Sequence, residues 1–337
     1  MEQYHGGNAP FPMNDDSSSA AGDLGIEPHA IGGESSVIAA LGFEQEVENL
    51  RESIAQWIGR CDGEMHAALS WQFLGTGSKY FRPLTLFCCH RATRAGPIGP
   101  PVIRSAALLE LFHNVSLIID DIVDHSEYRR GRPTLHAKFG QLSALMTSGY
   151  IVADGYRLAG DDFQAIQLLS ELLKRLGVAE CMQWRLRRQP LGVEDWRKIA
   201  GEDTGSMFEI AACLGARSGR LRKFGGLLGS LYHGCDDVAD VRGTTALGGG
   251  GYDDLRDGIL TLPAALAIRD PAVARVFCNP GEQDLQHLAQ AFKAQIPAAE
   301  AYLDGIAEEA RTEARLFAAD PEALLVLIDH TRQLSAR

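Results

Sequence analysis

Positive charge is what this sequence is short of. Against 44 Asp and Glu, the 337 residues carry only 32 Lys and Arg, a formal net charge of −12. That deficit excludes a protein that tracks nucleic-acid phosphates, which needs a basic face to release counterions. It equally disfavours a polybasic membrane-surface protein. Cysteine is scarce too. There are seven, at 61, 88, 89, 181, 213, 235 and 278, with no Cys-x-x-Cys and no zinc-spaced Cys/His pattern. Cys88-Cys89-His90 is too tight to hold one metal tetrahedrally and reads as core packing. Reduced thiols and a cytoplasmic location are the expectation. No uninterrupted apolar run approaches the ~18 residues of a membrane span. Residues 1–35, with Gly6-Gly7, Pro10, Pro12, Ser17-Ser18-Ser19 and Gly32-Gly33, lack a signal peptide's apolar region and a transit peptide's arginines. They read as a disordered tail. Also missing is any period-two alternation long enough for a sheet.

What is present is helical periodicity. Over residues 37–60, Ile38, Leu41, Val47, Leu50, Ile54 and Ile58 recur mostly at spacings of three, four and seven. Similar runs fall at about 83–94, 101–124, 134–159, 161–188, 193–216, 219–241, 259–269, 282–294 and 297–333. Gly and Pro clusters separate them, as at 75–77, 131–133 and 243–251. Roughly ten helices with short connections predict one all-α domain over residues 36–337. No 30–45-residue repeat is visible, so a helical solenoid is not expected.

Two of those helices end in the same pattern, Asp-Asp-x-x-Asp. It occurs as Asp120-Asp121-Ile-Val-Asp124 and as Asp236-Asp237-Val-Ala-Asp240. On a helix, residues i and i+4 stand one turn apart on one face, ~5–6 Å between Cβ atoms. Asp120 with Asp124, and Asp236 with Asp240, can each hold a hard cation, with Asp121 and Asp237 widening the cluster. Carboxylates crowded at the edge of an apolar helix repel one another unless a divalent ion neutralises them. Mg²⁺ suits the arrangement, because it takes a few carboxylates and completes its shell with water and phosphate oxygens. A solvated acidic helix end is the alternative for either trio alone. A third match, Asp253-Asp254-Leu-Arg-Asp257, follows a glycine run, where acids commonly open a helix.

Basic residues flank the first trio in Tyr128-Arg129-Arg130-Gly131-Arg132-Pro133-Thr134, and recur in Gly77-Ser78-Lys79-Tyr80-Phe81-Arg82-Pro83. The latter is not a nucleotide-binding loop, since no strand precedes it and the Gly-x-x-x-x-Gly-Lys-[Ser/Thr] spacing is absent. Metal-holding acids beside arginines and a lysine suit a highly charged anion, most naturally a diphosphate.

The run from Glu110 to Thr134 resembles the first aspartate-rich region of the trans-isoprenyl diphosphate synthases, or polyprenyl synthetases. The second trio, followed by Asp254-Leu-x-x-Gly258-x-x-Thr261-Leu262-Pro263, resembles their second region. Gly77–Pro83 and Leu324–Arg332 resemble their Gly-Gly-Lys-x-x-Arg-Pro segment and closing helix. The resemblance covers about residues 36–337. It implies an isoprenoid-synthase-type bundle around a deep cavity, and a homodimer. By the same resemblance, Mg²⁺ bridges both trios and draws the diphosphate off an allylic substrate, and the double bond of isopentenyl diphosphate attacks the resulting cation. Lys79, Arg82, His113 and Arg130 match the positions that hold isopentenyl diphosphate. Arg129, Thr204 and His233 fall at positions on the allylic side. Phe112, Val115 and Ser116 match the cavity floor; the last two are small, which predicts a product of about C20–C25.

The departures from the family pattern are specific. Asp203-Thr204 stands where Lys-Thr is usual, His233 where Gln is common, and Gly249 and Ile259 where lysines are expected. Each lost charge-assisted contact costs roughly 1.5–3 kcal/mol of diphosphate binding. Arg242 and Arg256 are near in sequence and are expected to substitute. Two further readings follow: a terpene cyclase or irregular prenyltransferase on the same scaffold, favoured by the lost lysines, and a non-catalytic partner subunit of a prenyl synthase.

Overall fold

The computed structural model describes residues 34–74, 78–243, 251–281 and 283–336. Gly75 and Gly77, Gly249, and the tail up to residue 33 lie outside the described residues. The chain opens with α1 (Glu34–Leu41), which includes two residues of the stretch read as tail. Then come α2 (Glu44–Ile58), α3 (Gly63–Phe73), α4 (Phe81–Ala92) and α5 (Pro100–Val123). A two-residue hairpin, β1 (Tyr128–Arg129) with β2 (Arg132–Pro133), turns the chain into α6 (Leu135–Phe139), α7 (Gln141–Ala159) and α8 (Phe163–Leu186). α9 (Val193–Ala200) runs through a single π-turn, Gly201–Gly205, into α10 (Ser206–Ala216) and α11 (Arg222–Arg242). The remainder is α12 (Gly251–Asp257), α13 (Leu262–Ala267), α14 (Pro271–Cys278), α15 (Asp284–Ala294), α16 (Ile296–Phe317) and α17 (Glu322–Arg332). The all-α reading holds.

Several expected helices are split, each for a local reason. Gly140, at φ +84°, separates α6 from α7, and Gly42, at φ +63°, separates α1 from α2. Pro321, which cannot continue the preceding helix, stands just ahead of α17. Starts are chemically marked as well. Pro100 and Pro101 open α5, where no intrahelical N–H partner is lost, and the carboxylate of Asp162 accepts from Ala165 N–H at 3.0 Å to cap α8.

α10 is the central helix, buried almost along its whole length and bracketed by α4, α8 and α11. α11 in turn rests on α16, and α5 lies between α2, α4 and α7. By length and hydropathy α5 would reach across a bilayer, yet 67% of its most apolar window is buried inside the bundle, as in any core helix.

Close approach of α11 to the π-turn sets up the site. A Cβ on Gly229 would lie 2.7 Å from Gly205 Cα and 2.9 Å from the Thr204 carbonyl, both backbone atoms with no room to yield. This glycine lets Thr204 face the next turn of α11, where His233 stands. Gly229→Ala should therefore cost about 1–3 kcal/mol through overpacking. Urea unfolding checks this, and a loss below ~0.5 kcal/mol would show that the contact yields freely.

Candidate active site

Both aspartate trios sit at the C-terminal ends of apolar helices. Asp120 and Asp121 occupy the last turn of α5 and Asp124 ends it; Asp236, Asp237 and Asp240 lie in the last turns of α11. A helix C-terminus already carries partial negative charge, so acids there are disfavoured twice. Burial pushes the Asp120 carboxyl well above the carboxylate range, with Glu180 and Asp203 adding to the rise and Arg129 opposing it. Burial and the charges of Asp240 and Asp237 push Asp236 up to about 7. Asp254 of α12 rises to about 8 through burial and the charges of the second trio, and Glu180 of α8 to about 7. One oxygen each of Asp120 and Asp236 is buried with no hydrogen-bond partner.

These carboxylates share one space. The charge of Asp203 raises both Asp120 and Asp237, so it stands within electrostatic reach of the two trios at once. Asp237 is held from the other side, where it accepts from Trp196 Nε1 at 2.7 Å and from Leu262 N–H at 2.8 Å. A cavity of about 170 Å³ opens over Asp236, Asp237, Asp240 and Asp254, walled by His233 and Ile259.

Asp203 and Thr204 are presented by the π-turn, which Arg175 of α8 anchors. Its guanidinium donates to Glu202 at 2.8 Å, to Glu209 at 2.7 Å and to the Gly201 carbonyl at 3.2 Å. Asp203 faces His233 of α11, with Oδ2 3.5 Å from Nδ1. Thr204 Oγ1 donates to that Oδ2 at 3.1 Å and lies 3.0 Å from His233 Nδ1. Although burial opposes it, Asp237, Asp203 and Asp236 push His233 up to about 9. The imidazolium is the neutral-pH form. Burial works to raise Asp203, but His233, the Thr204 hydroxyl and Arg82 outweigh it and hold the carboxyl below its ordinary value. The positions of the usual Lys and Gln are thus filled by an ion pair with no net charge.

A second cavity, of about 100 Å³, is lined by Lys79, Arg82, His113, Arg129, Arg130 and Arg132, with Glu110 at its wall. Arg82 donates to Met207 Sδ at 3.0 Å and stacks over Phe208, which fixes its guanidinium. Burial, reinforced by Arg82, Arg130 and Arg129, holds His113 well below its ordinary pKa, so it serves as a neutral donor or acceptor. Its Nδ1 is buried without a partner. Arg130 sits at φ +53° in the turn of the hairpin. Arg129 donates to Asp121 Oδ1 at 2.8 Å, tying the basic cavity to the first trio. The positive charge of Lys79 is felt by Asp236, so this cavity and the second trio are neighbours.

Of the predicted residues, Lys79, Arg82, His113, Asp121, Arg129 and Arg130 line the basic cavity, and His233, Asp236, Asp237 and Asp240 line the other. Asp120 and Thr204 meet Asp203, and Asp124 stands beside Asp120, while Phe112, Val115 and Ser116 line neither cavity. Phe112 is fully buried, its ring edge-on to Tyr156 at 5.3 Å and against Gly155. Val115 is buried and Ser116 half-buried, its hydroxyl bonded to the His113 carbonyl. The expected substitutes for the lost lysines are misplaced, however. Arg242 donates to Glu300 at 2.7 Å and to the Ser335 carbonyl, which ties it to the C-terminal segment. Arg256 turns onto its neighbour Asp257 at 2.8 Å. Neither lines the cavity over the second trio. Sequence reasoning missed Glu180 and Arg187, which lie on α8 or at its end, and left Asp254 as a helix opener. The third Asp-Asp-x-x-Asp match and the resemblance of the run from Asp254 to Pro263 pointed to Asp254; no signal pointed to Glu180 or Arg187.

The donor set fits a divalent cation. Orphaned carboxylate oxygens on each trio, on groups raised by burial and then by neighbouring acids, are what a hard cation relieves. Among the described residues, no three Asp, Glu, His or Cys side chains already converge as a closed ligand shell. An ion here would draw part of its shell from water or a bound phosphate, as Mg²⁺ does.

The sequence profile of the family described as polyprenyl synthetase matches residues 64–295, more than half of the chain. Nonaprenyl diphosphate synthase of Mycobacterium tuberculosis is 28% identical over 282 residues, covering 76% of this chain and 82% of that protein. Octaprenyl diphosphate synthase of Escherichia coli is 28% identical over 214 residues, covering 60% of this chain and 66% of that protein. The crystal structure of heptaprenyl diphosphate synthase from Staphylococcus aureus superposes with a TM-score of 0.78 at 21% identity, over 88% of this chain and 98% of that one, a likeness of fold. With the paired aspartate trios at two helix ends and a basic cavity beside them, the chain belongs to the polyprenyl synthetase family.

Proposed function

We propose that this protein is a Mg²⁺-dependent trans-prenyltransferase that condenses an allylic diphosphate with isopentenyl diphosphate into a longer linear isoprenyl diphosphate. The observation that carries this reading is the separate basic cavity of Lys79, Arg82, His113 and Arg130 next to the acidic space. An enzyme that only ionised and cyclised one diphosphate would have no use for a second anion pocket. The cyclase reading draws support from the neutral Asp203–His233 pair and from Ile259, and the assay below separates the two.

Mg²⁺ held by Asp120, Asp121, Asp124, Asp236, Asp237 and Asp240 would supply charge for the departing diphosphate. The chain's own groups do the rest. Trp196 and the Leu262 N–H fix one face of Asp237, and Arg129 fixes Asp121, so the carboxylates need little reorganisation. Lys79, Arg82 and Arg130 would grip the diphosphate of isopentenyl diphosphate, and neutral His113 would add a hydrogen bond. The allylic C–O bond breaks with its electron pair leaving on the diphosphate, the isopentenyl double bond adds to the resulting cation, and the proton lost from the new cation passes to the departed diphosphate. Thr204 and the His233 imidazolium would face the allylic diphosphate. Phe112, packed on Gly155, would form the floor, with a product of about C20–C25. Leu142 and Met146, one turn apart and exposed on α7, support a homodimer built on that face.

Incubation with Mg²⁺ and geranyl or farnesyl diphosphate should give longer diphosphates only when isopentenyl diphosphate is added. Hydrocarbon from the allylic substrate alone would move the assignment to a cyclase, and no product from any combination would move it to a partner subunit. Phe112→Ala should lengthen the product by one or more C5 units, read by chromatography; unchanged length removes Phe112 from the floor. The raised carboxyls give a third expectation. A carboxyl whose folded pKa exceeds its unfolded value weakens the fold as pH rises from about 4 through the raised value. With Asp236 at about 7 and Asp254 at about 8, metal-free protein should lose stability across that range and regain it with Mg²⁺. Asp236→Asn should flatten the slope and shrink the Mg²⁺ gain in urea unfolding. An undiminished gain would contradict metal binding at Asp236.

A further inference from the structure

Arg187, immediately after α8, occupies a place that no family motif marks. Its guanidinium donates to Asp124 of the first trio at 2.9 Å and approaches Asp257 of α12 at 4.0 Å, so one cation lies between α5 and α12. Its side chain is only 16% exposed and stacks at 4.0 Å over Trp184. Its Nε–H is buried and has no hydrogen-bond partner. A buried guanidinium donor left without an acceptor is costly, and an anionic oxygen is the group that satisfies it best. The neighbouring Arg188 is different, because its guanidinium is spent on the Leu255, Arg256 and Phe277 carbonyls and serves the fold.

The charge balance points the same way. Residue 259 carries no charge, and Asp203 is turned onto His233, with Oδ2 3.5 Å from Nδ1. Arg242 and Arg256 are turned elsewhere. Glu180 and the two trios meanwhile leave this side strongly acidic, and Arg187 acts on Glu180 to offset that. An allylic diphosphate brought between the trios needs a fixed cation beside the metal. Arg187 is the guanidinium that stands between Asp124 of the first trio and Asp257 of α12.

We propose that Arg187 is the cation that binds the allylic diphosphate, taking over the role of the lysines that positions 203 and 259 lack. Its Nε–H and the adjacent Nη edge present a fork to phosphate oxygens, a geometry that lysine lacks. The assignment rests on the prenyltransferase reading above. On substrate arrival, the Asp124 contact gives way to phosphate, releasing that carboxylate toward the metal.

Calorimetry on the full chain in Mg²⁺ tests this with two probes, geranyl S-thiolodiphosphate, whose C–S bond resists ionisation, and isopentenyl diphosphate. Arg187→Gln should weaken the allylic analogue about tenfold to a hundredfold and leave isopentenyl diphosphate within twofold. Arg217→Gln, which removes a surface pair with Asp162, should leave both unchanged. Arg187→Gln combined with Ile259→Lys should recover most of the lost affinity, because residue 259 walls the same cavity as the second trio. A purely structural arginine would not be rescued in that way. If Arg187→Gln does not fold, Arg187→Lys reads out the same comparison with a smaller loss. Native-like binding of the analogue by Arg187→Gln, or equal weakening of both probes, overturns the assignment. Failure of the native chain to bind either probe would instead bring down the prenyltransferase reading itself.

Discussion

An unpaid electrostatic debt organises this protein. Two apolar helices end in carboxylates where the helix dipole is already negative and water is scarce, and other acids crowd the same space. Among the described residues the compensation is incomplete: Asp120 and Asp236 each keep a buried oxygen with no donor, and burial lifts both out of the ordinary carboxylate range. A divalent cation is the group that relieves such a cost. Much of the surrounding architecture serves to hold this charge in place: Trp196 and Leu262 against Asp237, Arg129 against Asp121, Arg175 under the π-turn.

The basic cavity is the counterpart of that design. Arg82 is positioned on Phe208 and Met207 and Arg132 over Trp71, while Arg129 is held by Asp121. Arg129 links the regions by bonding Asp121 while lining the cavity.

How much of this was legible in the sequence depended on separation along the chain. Each trio is local, four residues apart on a helix, so spacing alone placed Asp120, Asp124, Asp236 and Asp240 correctly on one face. The basic segments were legible for the same reason. The Asp203–His233 pair was not, because twenty-nine intervening residues hide the fact that Gly229 lets the π-turn meet α11. Read singly, Asp203 is a lost lysine and His233 an altered glutamine. Read together, they neutralise one another. Proximity in sequence misled for Arg242 and Arg256, whose side chains are drawn off by Glu300 and Asp257, while Arg187, distant from either trio, reaches the first one. Helix boundaries failed where one residue decides, as at Gly140, where φ +84° breaks an otherwise continuous apolar period.

The central claim is that two chemically distinct diphosphate sites adjoin one another, one needing a metal and one not. Titration of the full chain with isopentenyl diphosphate in EDTA, followed by geranyl S-thiolodiphosphate with and without Mg²⁺, measures this directly. The account predicts one isopentenyl diphosphate bound per chain without metal, and the allylic analogue bound at a second, non-competing site only when Mg²⁺ is present. Strict Mg²⁺ dependence for both ligands, with each displacing the other, would contradict it.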